Sequence, residues 1–207
     1  SFVEAWLAMI SFSLQIYFDF SGYTDMAVGL AKIFNISFPI NFYSPYKSKS
    51  IIEFWKRWHM TLSRFLKENI YIPLGGNKKG KFLSFIFIII TMLLGGFWHG
   101  PSWNFILWGF FHSILIIINH ILIHFFKKSN TLNIFLDTFK IVITFILVSF
   151  GWVIFKLQSI SSIEIFFKGI FGLNGFRLNP NLERLVDTFS IFESINFQYS
   201  NIYYYGI

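Results

Sequence analysis

Phe82–Phe126 reads FLSFIFIIITMLLGGFWHGPSWNFILWGFFHSILIIINHILIHFF and carries no Asp, Glu, Lys or Arg. At about 1.5 Å of rise per helical residue, a run of this length crosses a hydrocarbon layer of roughly 30 Å twice. Gly95-Gly96 and Pro101 divide it into an outward leg, Phe82 to about Trp98, and a return leg, Trp103 to Phe126. The rest of the chain agrees. Of its 207 residues 55% are hydrophobic, 22% aromatic and only 13% charged, against about 25% charged in a soluble domain. Mean hydropathy is +0.58. A transmembrane barrel would need roughly ten-residue segments of alternating polarity, and these runs are continuously apolar. The expected fold is all-α, a polytopic membrane helix bundle.

The absence of cysteine removes disulfide scaffolds, thiolate metal sites and cysteine nucleophiles together. No Gly-x-Ser-x-Gly elbow supplies a serine nucleophile. The chain starts at Ser1 rather than Met and stops at Tyr-Tyr-Tyr-Gly-Ile, so it reads as part of a longer fold.

Charge is uneven. Between Lys47 and Lys81 lie nine basic residues against Glu53 and Glu68, so this segment's excess of seven equals the net +7 of the whole chain. Flanked by membrane-grade sequence, it fits the positive-inside rule better than a nucleic-acid surface and is expected on the cytoplasmic side. The return leg then ends, as it should, in Lys127-Lys128. The resulting map is a single, partial membrane domain over 1–207. It has one or two membrane segments in 1–46 (Ala5 to Phe18 and Tyr23 to Phe38) and a basic amphipathic cytoplasmic segment in 47–81. About three membrane helices follow in 82–156, the third from Leu132 to Phe155, and then a truncated C-terminal segment in 157–207.

Within the basic segment one long helix is expected from about Ser50 to Tyr71, lying along the interface. At 100° per residue Ile51, Trp55, Trp58, Leu62 and Leu66 share its apolar face. Arg57 and Arg64 fall opposite, Lys56 lies at the flank, and His59 falls on the apolar side. A histidine there is either a ligand of chemistry or a buried ring satisfied by one carbonyl. Gly75 to Lys81 stops short of a phosphate-binding loop, because Phe82 stands where Ser or Thr would ligate Mg²⁺. A tight turn is expected instead.

Three further groups carry candidate chemistry. His99 ends a charge-free helix in Phe97-Trp98-His99-Gly100-Pro101-Ser102-Trp103-Asn104. Neutral near pH 7, it is able to take a proton from a hydroxyl; the alternative is a ring in an aromatic belt. Asp19 and Asp25 flank Ser21-Gly22, as a cap, a polar network or a cation site. His112, His120 and His124 share one helix at spacings that hold a metal or haem, but no third ligand type accompanies them, and no metal site is assigned.

Several motifs stand in one order: Gln15-Ile16-Tyr17-Phe18-Asp19-Phe20-Ser21-Gly22-Tyr23-Thr24-Asp25-Met26-Ala27, Asn41-Phe42, Pro45-Tyr46, Glu53-Phe54-Trp55-Lys56-Arg57-Trp58-His59-Met60-Thr61-Leu62-Ser63, Tyr71 to Asn77 and Gly95 to Gly100, with a weaker echo in Gly151-Trp152-Val153-Ile154-Phe155. Together they resemble the membrane-bound O-acyltransferase family, in its bacterial branch of alginate O-acetyltransferases and peptidoglycan O-acetylases. The resemblance implies transfer of an acyl group, acetyl in that branch, from a cytoplasmic thioester such as acetyl-CoA to an outward hydroxyl. It implies His99 and His59 as catalytic residues. Trp98, Asn104, Trp55, Asp19 and Asp25 would support a tunnel between them, and Lys56, Arg57 and Arg64 would attract an anionic donor. No bound cofactor is implied. The implied setting is the bacterial inner membrane, with a cell-surface polysaccharide as acceptor, a periplasmic acetyltransferase as partner and no nucleic acid. A transporter or flippase for an acylated lipid or sugar is the competing reading, and a scaffold that recruits a partner through its basic helix is a third.

Overall fold

The computed structural model describes residues 1–125 and 134–176, and every regular element among them is helical: α1 (Phe2–Ile33), α2 (Ile51–Arg57), α3 (Met60–Leu66), α4 (Ile72–Leu74), α5 (Lys81–Trp98), α6 (Trp103–Phe125), α7 (Ile134–Lys156) and α8 (Ile160–Ile170). A 3-10 turn, Pro45–Lys47, precedes α2, and a π-helical turn, Lys67–Tyr71, joins α3 to α4. Among the described residues three helices are long and apolar enough to cross a membrane: Lys81–Trp98, Trp103–His124 and Phe135–Lys156. Lys127-Lys128 and the chain beyond 176 lie outside the described residues.

The chain divides into two units, one of Ser1–Ala8 with Glu164–Ile207, the other of Met9–Ile163. In the first, Trp6 donates its indole N–H to the Ile170 carbonyl at 3.2 Å, and the Phe2 amide bonds Gly175 O at 2.9 Å. The second unit carries the candidate chemistry.

In that unit α5 and α6 form a hairpin with unusually close backbones. A Cβ on Gly96 would run into the Phe105 carbonyl, and one on Gly109 into the Met92 carbonyl. Glycine at both positions is what lets the helices touch. α7 closes on α6 through Asn104, whose side-chain amide donates to Phe155 O at 2.7 Å.

Of the one or two segments expected in 1–46, residues 2–33 form one unbroken helix, and Ser21-Gly22 lies inside it, with the Ser21 hydroxyl 3.5 Å from Phe18 O instead of capping a terminus. No proline falls in this stretch, and its two internal glycines, Gly22 and Gly29, cost only about 1 kcal/mol each, too little to end a helix extended on both sides.

Ser50–Tyr71 is not the one interfacial helix expected. Trp58 is extended (φ −103°, ψ 128°) and His59 left-handed (φ 41°, ψ 58°), so the chain reverses between α2 and α3. Asn41 captures the freed α3 N-terminus: its carbonyl accepts from the Met60 amide at 3.0 Å, and its side-chain oxygen accepts from the Thr61 amide at 3.1 Å and hydroxyl at 2.7 Å. The result is a re-entrant V. Its first leg begins beside Asn119 of α6, whose Oδ1 accepts from the Ile52 amide at 3.2 Å, and climbs to Trp108. Its second leg descends along α5, with Leu66 on Gly95 and then the Tyr71 hydroxyl 2.7 Å from Ser84 Oγ. The first leg therefore starts, and the second ends, near the Lys81 end of α5, and the tip, Trp58-His59, reaches the Trp98-His99 end. Non-helical backbone at membrane depth survives only where protein or a cavity surrounds it, and here both do. Lys49 and Lys140 flank Asp137 at 2.6 and 3.3 Å, and Lys81 Nζ sits 3.1 Å from His124 Nε2, so these basic residues gather at one end of the bundle.

Candidate active site

The V tip and the α5 terminus face one cavity of about 280 Å³, whose wall includes both His59 and His99. The chain delivers them differently. His99 is the residue on which α5 stops, with Gly100 at φ 146° turning the chain away. His59 is the residue just before α3, but Asn41 does the capping, so the imidazole is left out of the backbone's hydrogen bonding. Trp98 stands beside both rings, with centroids at 6.4 Å from His59 and 4.9 Å from His99. Phe20 meets His59 edge-on at 4.9 Å; Trp108 and Phe155 meet His99 edge-on at 5.3 and 5.1 Å. Neither imidazole has a hydrogen-bond partner among the described residues, so each can accept from or donate to a molecule in the cavity.

Burial holds His99 down at about 4, and a positive charge on nearby His59 would lower it further. Burial also lowers His59. Both rings are therefore neutral at pH 7, each with one acceptor and one donor nitrogen.

The cavity has depth. At its mouth Trp98 is 62% exposed, while Trp58, Trp108 and Trp152 are 4, 3 and 2% exposed and make its floor. Five of the chain's seven tryptophans line it, with no carboxylate, lysine or arginine among the lining residues. This is an apolar pocket with two polar groups that converge near its entrance, the usual build of a small-molecule site.

The other expected residues are placed as follows. Trp98 and Trp55 line the cavity. Asn104 is buried but not in its wall; it ties α6 to the end of α7. Asp19 and Asp25 are exposed on α1 and take no part in the lining, because a straight α1 turns Phe20 inward instead. Lys56 and Arg64 are exposed, whereas Arg57 is engaged by Glu53 at 2.6 Å and lies over the Tyr43 ring. Of the α6 histidines, His112 is fully buried, with both ring nitrogens unpartnered. No cluster that could hold a metal ion occurs among the described residues.

Sequence reasoning missed Asn41 and Tyr46 as site residues. Tyr46 donates its hydroxyl to Ser13 O at 2.5 Å and accepts the Trp152 indole N–H at 3.1 Å, and burial pushes its ionisation up. Both stand in short motifs, Asn41-Phe42 and Pro45-Tyr46, whose polar member in an apolar setting was the available signal.

Residues 1–163 match the model of MBOAT, the membrane-bound O-acyltransferase family. The chain belongs to this family. Among curated members, it is 46% identical over 179 residues to a peptidoglycan O-acetyltransferase of Helicobacter pylori, covering 86% of this chain and 33% of that one. It is 40% identical over 176 residues to a probable alginate O-acetylase of Pseudomonas aeruginosa, covering 85% of this chain and 33% of that one. A teichoic acid D-alanyltransferase of Streptococcus thermophilus is 36% identical over 132 residues, covering 60% of this chain and 31% of that one. The chain thus spans about a third of the length of the O-acyltransferases it matches. Its cavity lies wholly within the family match.

Proposed function

We propose that this chain carries the reaction centre of a membrane O-acyltransferase that passes a short acyl group, acetyl above all, from a thioester to a hydroxyl. The observation that carries the reading is the meeting of two unbonded, neutral imidazoles in one apolar cavity, brought there by a broken helix and a helix end. His99 accepts the proton of the incoming hydroxyl. Its oxygen attacks the thioester carbonyl, while His59 donates a hydrogen bond to the carbonyl oxygen as negative charge develops there. The carbon–sulfur bond breaks, the sulfur leaves with the proton carried by His99, and an ester and a free thiol result.

The donor is supplied on the side of the membrane where the basic residues gather. By the positive-inside rule that is the cytoplasmic side of a bacterial inner membrane, and lysines there suit an anionic donor such as acetyl-CoA or a carrier protein. The hydroxyl belongs to a cell-surface polysaccharide or to a periplasmic acetyltransferase that completes delivery. The names of the relatives, which act on peptidoglycan, alginate and teichoic acid, favour such acceptors.

The test is His99→Ala and His99→Gln in the whole protein as its cell makes it, assayed for free thiol and for acylated acceptor. A fall of roughly 10²–10⁴ with membrane insertion unchanged is expected. Undiminished thiol release and acylation would remove His99 from the reaction, and a protein that moves its substrate while leaving the thioester intact would be a transporter.

A further inference from the structure

The cavity floor is built to stay where it is. Trp152 is 2% exposed and packs on Trp58 at 4.7 Å and on Trp108 at 6.0 Å, nearly parallel to the latter. Its indole N–H is fixed by the Tyr46 hydroxyl, which is itself fixed to the Ser13 carbonyl on α1. The neighbouring floor indole, Trp108, has no such partner. Behind the floor lie Phe54 and His112, both fully buried. The floor is therefore backed by buried rings, and one of its own rings is pinned by a two-bond relay that crosses three elements.

The histidines stand between the exposed Trp98 and this floor, so an acyl group whose carbonyl lies at the imidazoles points its chain end at the floor indoles. The whole cavity holds about 280 Å³, at the small end of the roughly 300–1,000 Å³ of small-molecule sites. The thioester group and the attacking hydroxyl take part of that space, leaving room for a few carbons. We infer that Trp152, held by Tyr46, is the stop that sets acyl length, confining the site to uncharged acyl groups of about two to four carbons. Trp152 is then a specificity residue and Tyr46 a positioning residue. The inference rests on the acyl-transfer reading for its substrate, but the stop itself is a property of the cavity.

Each methylene that overlaps a rigid apolar wall costs roughly tenfold or more in selectivity. Thiol release from acetyl, propionyl, butyryl, hexanoyl and octanoyl thioesters by the whole protein in nanodiscs should fall at least about tenfold between butyryl and hexanoyl. Trp152→Ala should move the fall to longer chains, with acetyl transfer weakened and hexanoyl transfer raised. Tyr46→Phe, which removes one hydroxyl and keeps the ring packing, should blur the cutoff in the same direction. Should Trp152→Ala fail to insert, Trp152→Phe and Tyr46→Phe carry the test. An unchanged length profile in inserted, active variants overturns the inference, and so does a wild-type protein that uses octanoyl as well as acetyl.

A second measurement separates this from the chemistry: binding of S-ethyl, S-butyl and S-hexyl pantetheine, which cannot be cleaved, to His99→Ala by quenching of the cavity tryptophans. Length-selective binding without thiol release by the wild type would keep the stop and reject acyl transfer. Binding indifferent to length would reject the stop.

Discussion

The acid limb of the reaction is the sharpest consequence of the site's geometry. An ordinary imidazole, near 6.5, is about 9% neutral at pH 5.5 and about 91% neutral at pH 7.5, so a base of that kind loses about tenfold in rate between them. His99, held at about 4 by its burial among Trp98, Trp108 and Phe155, is about 97% neutral at pH 5.5. His59 is lowered too. Thiol release measured as kcat/KM in short, cold time courses should therefore change by less than about twofold between pH 7.5 and 5.5, and drop only as pH approaches 4. Stability runs the other way. A histidine with a depressed folded-state value contributes stability that is complete above about 6.5, because the unfolded chain takes up the proton first. That contribution is lost as pH falls from about 6.5 towards about 4. The membrane protein should thus lose thermal resistance at pH 5.5 while it still turns over at nearly full rate. A tenfold loss of kcat/KM at pH 5.5, in protein that remains folded, would refute the claim that the catalytic base is a buried, neutral His99.

Gly109→Ala puts a methyl group against the Met92 carbonyl. Overpacking costs about 1–3 kcal/mol and better helix propensity returns about 0.5–1 kcal/mol, so a net loss of about 1–2 kcal/mol in a thermal or denaturant midpoint is expected; an unchanged midpoint would mean the hairpin parts freely. Asn41→Ala removes the acceptor of the Thr61 amide and hydroxyl. At about 1–2 kcal/mol, the worth of a helix cap, it should loosen the V tip and lower kcat more than it raises KM, with insertion intact, as kinetics on reconstituted protein would read. His112→Leu deletes two buried ring nitrogens that lack partners, each a burden of about 1–3 kcal/mol. Thermal stability should hold or rise, and a loss of several kcal/mol would mean that those nitrogens are bonded.

Membrane helices were the most legible part of the sequence, because the feature that makes them is local. The missing charges of Phe82–Phe126 and the break at Pro101 place α5 and α6 almost to the residue. His59 and His99 were legible as candidates for the same reason, being titratable groups in apolar surroundings. The reversal at Trp58-His59 was not. Helical periodicity assumes helical backbone, and Ile51 to Leu66 keeps a plausible apolar stripe whether or not the chain turns in its middle. What turns it lies outside the segment: Asn41, 18 residues upstream of His59, offers the first turn of α3 a better acceptor than α2 does. Asp19 and Asp25 misled in the opposite sense. Polar residues beside Ser21-Gly22 resemble a helix end, and only the packing of Tyr17 and Phe20 against the V tip reveals which face of α1 looks inward.

The break that positions His59 is costly by itself. A non-glycine residue in the left-handed region stores about 1–3 kcal/mol, and the Trp58-His59 peptides forgo part of a helix's hydrogen bonding. Opposed to this is the setting of Trp58, whose ring meets Tyr17, Phe42, Tyr46, Phe54 and Trp152 with centroids between 4.7 and 6.3 Å. Aromatic pairs are each worth about 0.5–1.5 kcal/mol beyond their buried area, so even the lower values together match the strain, and the hydrogen bonds from Asn41 add to them. The strained turn is thus held by the same rings that close the cavity floor. Locating the histidine and sizing the pocket are one piece of packing, which is why a change to the floor should be read in the kinetics of the imidazoles as well as in the choice of acyl chain.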